Sequence, residues 1–385
     1  MKFLNIIAAL LIFFAMLLGF GGYANSQPKE LIIAGTFDGD GSEGLYVFSF
    51  DREDLTFELL QTISDKSSPS FQAVHPQKPV LYSVNMSAFS DQNNHQTIGA
   101  YRADKQSGRL SLINEQSVMG RNPAHVSVDP LGSFVFVSNY DSGNVSMFRI
   151  RDDGGLDKAS DMVQHAGSSI NPRRQQTAHA HAADPSPDGR FLYVSDLGID
   201  KIMIYEVDRQ QGKLSPAATP WFESTPGAGP RHLSFRPDGA FAYSAEELSS
   251  TVAVLRVDKN TGALHQIQRI SMLPDDFDGN STAADIHVSP DGRFLYASNR
   301  GHESIAIYAI DEPTGELRLV GHESTIGEHP RNFLIDQSGE LLFVANRFNN
   351  HIVLFRRDPI TGLLDYTGIE LIVPRAVCIN RMILD

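Results

Sequence analysis

The sequence has a single cysteine, Cys378, in 385 residues, so no internal disulfide can form. It is also poor in basic residues, with 32 Lys and Arg against 46 Asp and Glu and a formal net charge of −14. That balance argues against nucleic acid and against an anionic membrane surface as partners. No Gly-x-Ser-x-Gly elbow is present, and Cys378 sits in an apolar run with no evident base, so neither Ser nor Cys is an activated nucleophile. After Phe20 no stretch is apolar enough to span a bilayer. Before it, Lys2 precedes an apolar run from Phe3 to Phe20, and Gly22 and Ala24 fit a small-x-small cleavage pattern. Residues 1–24 therefore read as a secretory signal cut after Ala24, which predicts a periplasmic or secreted protein with no membrane contact once processed. An uncleaved anchor is the alternative.

What the chain does have is a repeat. SPDGRFLYVSD (Ser186 to Asp196), RPDGAFAYSAE (Arg236 to Glu246) and SPDGRFLYASN (Ser289 to Asn299) are its clearest copies. Looser copies start at His75, Asp129 and Asp336. Gly in Pro-Asp-Gly supplies a positive φ for a tight turn, and the run after it alternates as a half-buried strand does. Anchored on Pro76, Pro130, Pro187, Pro237, Pro290 and Gln337, the copies are 54, 57, 50, 53 and 47 residues apart. That period suits four-stranded propeller blades of about 40 to 50 residues. A lone hairpin cannot bury its apolar face, so the copies must stack into an array or close into a ring. Leu31 to Phe37 and Gly44 to Phe50 are expected to join the C-terminal strand in a seventh blade. The prediction is an all-β, seven-bladed propeller of four-stranded antiparallel blades, one domain over 29–385. A closed ring has no need of a partner chain, so a monomer is expected.

Registering the copies exposes two columns. Six residues before the anchor lie Ser70, Ala124, His181, Arg231, Ala284 and Arg331, with Arg375 of VPRAVCIN as the expected seventh member. Ten residues after it lie Met86, Tyr140, Leu197, Glu247, Arg300 and Arg347, each preceded by an Asn, Asp or Glu such as Glu246. The hairpin brings both columns to one end of the ring, beside the central channel. Clustered arginines repel one another without an anionic partner, and a guanidinium suits carboxylate or phosphate. The columns therefore predict an anion-binding mouth. The plainer reading is that the Asn and Asp column caps strand ends and that some arginines merely bridge to Glu246 and Glu247.

At these residues the chain resembles the lactonase family of seven-bladed propellers, which includes bacterial 6-phosphogluconolactonases and a fungal muconate-lactonizing enzyme. The resemblance rests on Gly227 to Val254, Ala283 to Tyr308, His329 to Arg347 and His181 to Tyr205, and runs in register from about Leu31 to the end. It implies opening of a sugar lactone, without cofactor or metal, and places the catalytic site on His181, Arg231, Glu247 and Arg300. Of His181 and Glu247, one would be the general base on water and the other the proton donor. Arg231 would face the oxyanion, while Arg300, Arg331, Arg347, Arg375 and Glu246 would bind an anionic substrate. Ring closure of an unsaturated dicarboxylate and a non-catalytic anion- or partner-binding propeller are the alternatives. The acids Asp275, Asp276 and Asp278 are expected to be solvated loop residues and not a calcium site. The loop from Gln164 to His179, carrying Arg173 and Arg174, is either a lid or a solvated insertion. An export signal sits uneasily with a phosphorylated sugar substrate, so the acyl part stays open.

Overall fold

The computed structural model describes residues 29–64, 68–86 and 96–384. The expected signal segment and most of the Asn- and Gln-rich stretch between Met86 and Thr97 lie outside them. Among the described residues, 28 strands form seven four-stranded antiparallel sheets. Blades 1 to 6 follow chain order, with innermost strands Phe71–Val74, Pro123–Val128, Ala180–Pro185, Pro230–Phe235, Thr282–Val288 and Pro330–Ile335. In blade 7 the C-terminal strand Ala376–Leu384 is innermost and pairs with Lys29–Thr36 from the other end of the chain. It also lies against the inner strands of blades 6 and 1, which closes the ring.

The core sits between blades. Tyr243 and Val254 of blade 4 pack on Ile286, Leu295 and Tyr308 of blade 5, and Phe343 and Leu354 of blade 6 pack on Ile32 and Phe48 of blade 7. Each hairpin thus buries its apolar face only against its neighbour, which is why the repeat must close. A polar latch recurs at four of these junctions. Tyr82, Tyr193, Tyr243 and Tyr296 donate their hydroxyls to the carbonyls of Gly154, Gly262, Gly315 and Gly362 in the following blade. Those glycines are in the left-handed region, and a Cβ at Gly315 would lie 2.3 Å from the Phe241 ring. The Pro-Asp-Gly turns form as expected: Gly189, Gly239 and Gly292 have φ between 66° and 71°, and the Ser186 hydroxyl bonds Asp188 while accepting from the Phe191 amide.

One departure from ideal strands positions the site. In blades 2, 3, 4 and 6 the inner strand carries one extra residue against its partner, at Ala124, His181, Arg231 and Arg331. Blade 5 slips in the same way between Ala283 and Ile286, and blade 7 at Val377, between Ala376 and Cys378. A bulge bends the strand and re-aims its side chain. Here it lifts six ring positions out of the ladder at the channel mouth. The register also corrects one expectation. Val377, not Arg375, holds the seventh position, because the chain turns at Arg375 (φ 52°) before the strand begins at Ala376.

Candidate active site

The mouth is built around Glu247. Its carboxylate is 6% exposed and touches three guanidiniums. Oε2 lies 3.0 Å from Arg231 Nε and 3.0 Å from Arg300 Nη2, while Oε1 lies 2.5 Å from Arg174 Nη2. Burial favours the neutral acid, but Arg300, Arg231 and Arg174 together outweigh it and hold the group well below the usual carboxylate range. Glu247 is therefore a permanent anion near neutrality. It is a poor proton acceptor and has no proton to donate, so it does not fit either half of the expected acid–base pair.

Each guanidinium is tied down separately. Arg231 is 2% exposed and donates from Nη1 to the Ala284 carbonyl. Burial and Arg300 pull its pKa down to about 10. Arg300 donates to the Ala283 carbonyl at 2.6 Å. Arg174 also reaches the Tyr140 hydroxyl at 3.2 Å. This residue comes from the loop left open above, which is anchored and not loosely solvated. Gln175 is fully buried and donates to the Leu197 carbonyl at 2.9 Å, and Ser169 bonds Asp200 at 2.5 Å. Arg173 beside it is exposed to solvent.

His181 is 4% exposed and packs edge-on against Tyr140 and His232, at centroid separations of 5.6 and 5.1 Å. Its Nδ1 is buried with no hydrogen-bond partner among the described residues. Burial, then Arg231, His232, Arg331 and Arg300, push its pKa well below 6.5, so the imidazole is neutral.

Arg331 and Arg347 are half-buried and both lie over the Phe37 ring, with Cζ 5.0 and 4.8 Å from its centroid. Neither forms an ion pair among the described residues. Burial and the neighbouring guanidiniums lower the pKa of both. Set against one carboxylate, Glu247, the five side chains Arg174, Arg231, Arg300, Arg331 and Arg347 leave four guanidiniums uncompensated. A small cleft, partly open to solvent, lies alongside them. Arg231 and Arg331 line it together with the apolar Phe37, Phe71, Met86 and Val377. That combination suits a compact polar molecule carrying negative charge.

Two expected members lie elsewhere. Arg375 pairs with Asp40, Nη1 2.6 Å away, although its charge still bears on Arg347. Glu246 turns toward the outer strands of its blade, bound to Arg269 at 2.7 Å and Thr251 at 2.6 Å, because successive strand residues project to opposite sides. Asp275, Asp276 and Asp278 are exposed on their loop. Burial pushes the Cys378 thiol up to about 12.

A family model described as "Lactonase, 7-bladed beta-propeller" matches residues 31–381. The chain belongs to this lactonase family. It is 40% identical over 334 residues to a 6-phosphogluconolactonase of Formosa agariphila, covering 86% of this chain and 93% of that one. It is 36% identical over 354 residues to the 6-phosphogluconolactonase of Bacillus subtilis, covering 92% and 99%. The structure of the periplasmic gluconolactonase of Pseudomonas aeruginosa superposes with a TM-score of 0.87 at 32% identity, covering 93% of this lactonase-family chain and all of that one. The clamped carboxylate, its three arginines and the neutral imidazole are thus set in a fold whose named relatives open sugar lactones.

Proposed function

We propose that this protein is a lactone hydrolase that opens a sugar lactone to its aldonic acid by attack of water at the carbonyl, and that the substrate or its product binds through negative charge. The observation that carries the reading is the mouth itself: uncompensated guanidiniums beside a neutral imidazole with an unpaired buried nitrogen. Nδ1 of His181 takes a proton from water as the oxygen bonds to the lactone carbonyl carbon. Negative charge then develops on the carbonyl oxygen, where the fixed guanidinium of Arg231 stabilises it. When the tetrahedral species collapses, the ring C–O bond breaks and the alkoxide takes the proton back from the imidazolium. Glu247 takes no proton in this scheme. It holds Arg174, Arg231 and Arg300 in place and keeps them from driving one another apart. Arg300, Arg331 and Arg347 receive the anionic group of the substrate or the new carboxylate.

The apolar segment ending near Phe20 and the periplasmic location of the Pseudomonas aeruginosa relative support export. An unphosphorylated aldonolactone formed outside the inner membrane fits that address better than a sugar phosphate. The test is a pH-stat assay of the purified protein on δ-gluconolactone beside its 6-phosphate, with spontaneous hydrolysis subtracted. Turnover of either lactone that His181→Ala lowers at least 100-fold is expected. Background rates on both would overturn the reading.

A further inference from the structure

Below the mouth, the channel holds a second polar cluster with no part in the scheme above. Asp285 is 2% exposed, yet five donors from three blades converge on its carboxylate. Oδ1 accepts from His232 Nδ1 at 2.7 Å and from the Ile286 amide at 3.0 Å. Oδ2 accepts from His287 Nε2 at 3.0 Å, Asn332 Nδ2 at 2.5 Å and the Phe333 amide at 3.2 Å. A buried carboxylate saturated in this way is fixed in position. Its hold on His232 has a directional consequence. With the proton on Nδ1 and donated to Asp285, the neutral ring presents only a lone pair at Nε2. That lone pair faces Arg231 Nη1 at 3.1 Å. The Arg231 guanidinium is therefore held by His232 and the Ala284 carbonyl at one end and by Glu247 at the other.

We propose that Asp285 and His232 are a positioning pair that aims the Arg231 guanidinium at the lactone carbonyl. Neither residue touches substrate. Asp285 selects the tautomer, the tautomer supplies the acceptor, and the acceptor fixes the rotation of the guanidinium. A donor aimed at developing charge is most effective when it needs no reorganisation during the reaction, so a loosened Arg231 slows the chemical step more than it weakens binding. This inference rests on the oxyanion role given to Arg231 above.

The test compares His232→Phe with His232→Gln in the full-length protein. Gln carries a carbonyl that accepts from Arg231 and an amide that donates to Asp285, whereas Phe keeps the ring shape and loses both. In His232→Phe, kcat for δ-gluconolactone should fall roughly 10- to 100-fold, the scale at which supporting-shell residues act, with KM within about twofold. His232→Gln should recover most of the loss. Should the Phe variant not fold, His232→Asn, too short to reach Arg231, replaces it with the same expectation. A kcat within about twofold of wild type in the Phe or Asn variant overturns the proposal, as does equal damage in Gln and Phe. Crystal structures of the variants separate this failure from failure of the lactonase reading. If even the wild-type protein hydrolyses no lactone, a guanidinium displaced by Phe and restored by Gln still supports the positioning pair, and one unmoved in both overturns it.

Discussion

Replacing Glu247 by Gln removes one negative charge from the centre of the mouth and leaves the shape nearly unchanged. In the native protein that charge lies 2.5 to 3.0 Å from three guanidiniums and is almost fully buried. Breaking a buried ion pair by deleting one partner typically costs about 3–5 kcal/mol, because the other charge is left uncompensated. Among the described residues Glu247 is the carboxylate that both Arg231 and Arg300 pair with. The inter-blade clusters are untouched, so the ring stays folded. An unfolding entropy of about 2.1 cal/mol/K per residue over the roughly 340 residues of the ring is about 0.7 kcal/mol/K, so the loss converts to a fall in Tm of about 4–7 °C. Calorimetry at pH 7 in a non-coordinating buffer reads this directly. Inorganic phosphate should then raise the Tm of Glu247→Gln more than that of wild type, since it replaces the missing negative charge. Hydrolysis should be lost in the same variant, because Arg231 is no longer held at its Nε end. The sign with pH follows from the depressed folded-state pKa: the ionised carboxylate stabilises the protein above its unfolded pKa, and the contribution fades only as acid titrates it. A Tm within 1 °C of wild type, or full retained activity, would refute the clamp.

Arg231→Ala should lower kcat by roughly 100- to 1000-fold, as removal of an oxyanion donor does, with a smaller change in KM. If only KM rises in steady-state kinetics, Arg231 binds the ground state. Arg331→Ala should raise KM for a phosphorylated lactone more than for the neutral sugar lactone, because Arg331 forms no ion pair among the described residues. Equal effects on the two substrates would remove it from anion binding. Catalysis needs the neutral form of His181, and its pKa is pushed below 6.5, so kcat/KM should hold steady as pH falls from 7 to 6 and decline only further down. A limb centred at or above pH 6.5 in a pH–rate profile would contradict that environment.

The ring was legible because its causes are local and repeated. A Pro-Asp-Gly turn, an alternating strand and a fifty-residue period suffice to place four strands per blade. The column at His181, Arg231 and Arg331 was legible for the same reason, since a bulge that recurs at the same place in blades 2 to 6 does not disturb a register counted from the turn. Blade 7 breaks that count. It has no Pro-Asp-Gly anchor, and Pro374-Arg375 mimics Pro230-Arg231 in letters while lying two residues too early in the chain. Glu246 was misplaced by a single step of strand alternation. Arg174, His232 and Asp285 were missed on different grounds. Their roles depend on contacts between one blade and another, or between a loop and a blade, and a period within the repeat carries no record of these. The adjacent Arg173 and Arg174 in a long loop were the one available signal.

A strictly repeated propeller would present seven like side chains around its mouth, and seven arginines there would repel one another with nothing to bind in any preferred orientation. The equivalent positions at the start of the inner strands, six of them at bulges, avoid this by differing around the ring. Blades 7, 1 and 2 contribute Val377, Ser70 and Ala124, with Phe37, Phe71 and Met86 close by. Blades 3, 4 and 6 contribute His181, Arg231 and Arg331. One side of the rim is thus small and uncharged and the other carries the basic groups, with Ala284 of blade 5 between Arg231 and Arg331. Such a rim orients a ligand that is itself two-sided, with its carbonyl and any anionic group toward blades 3 to 6 and its carbon skeleton toward blades 7, 1 and 2. The scaffold tolerates the asymmetry because a bulge residue lies outside the ladder. Changing its side chain alters the mouth without changing any strand pairing, so the same backbone ring can be refitted to a different acyl group by substitutions at a few positions.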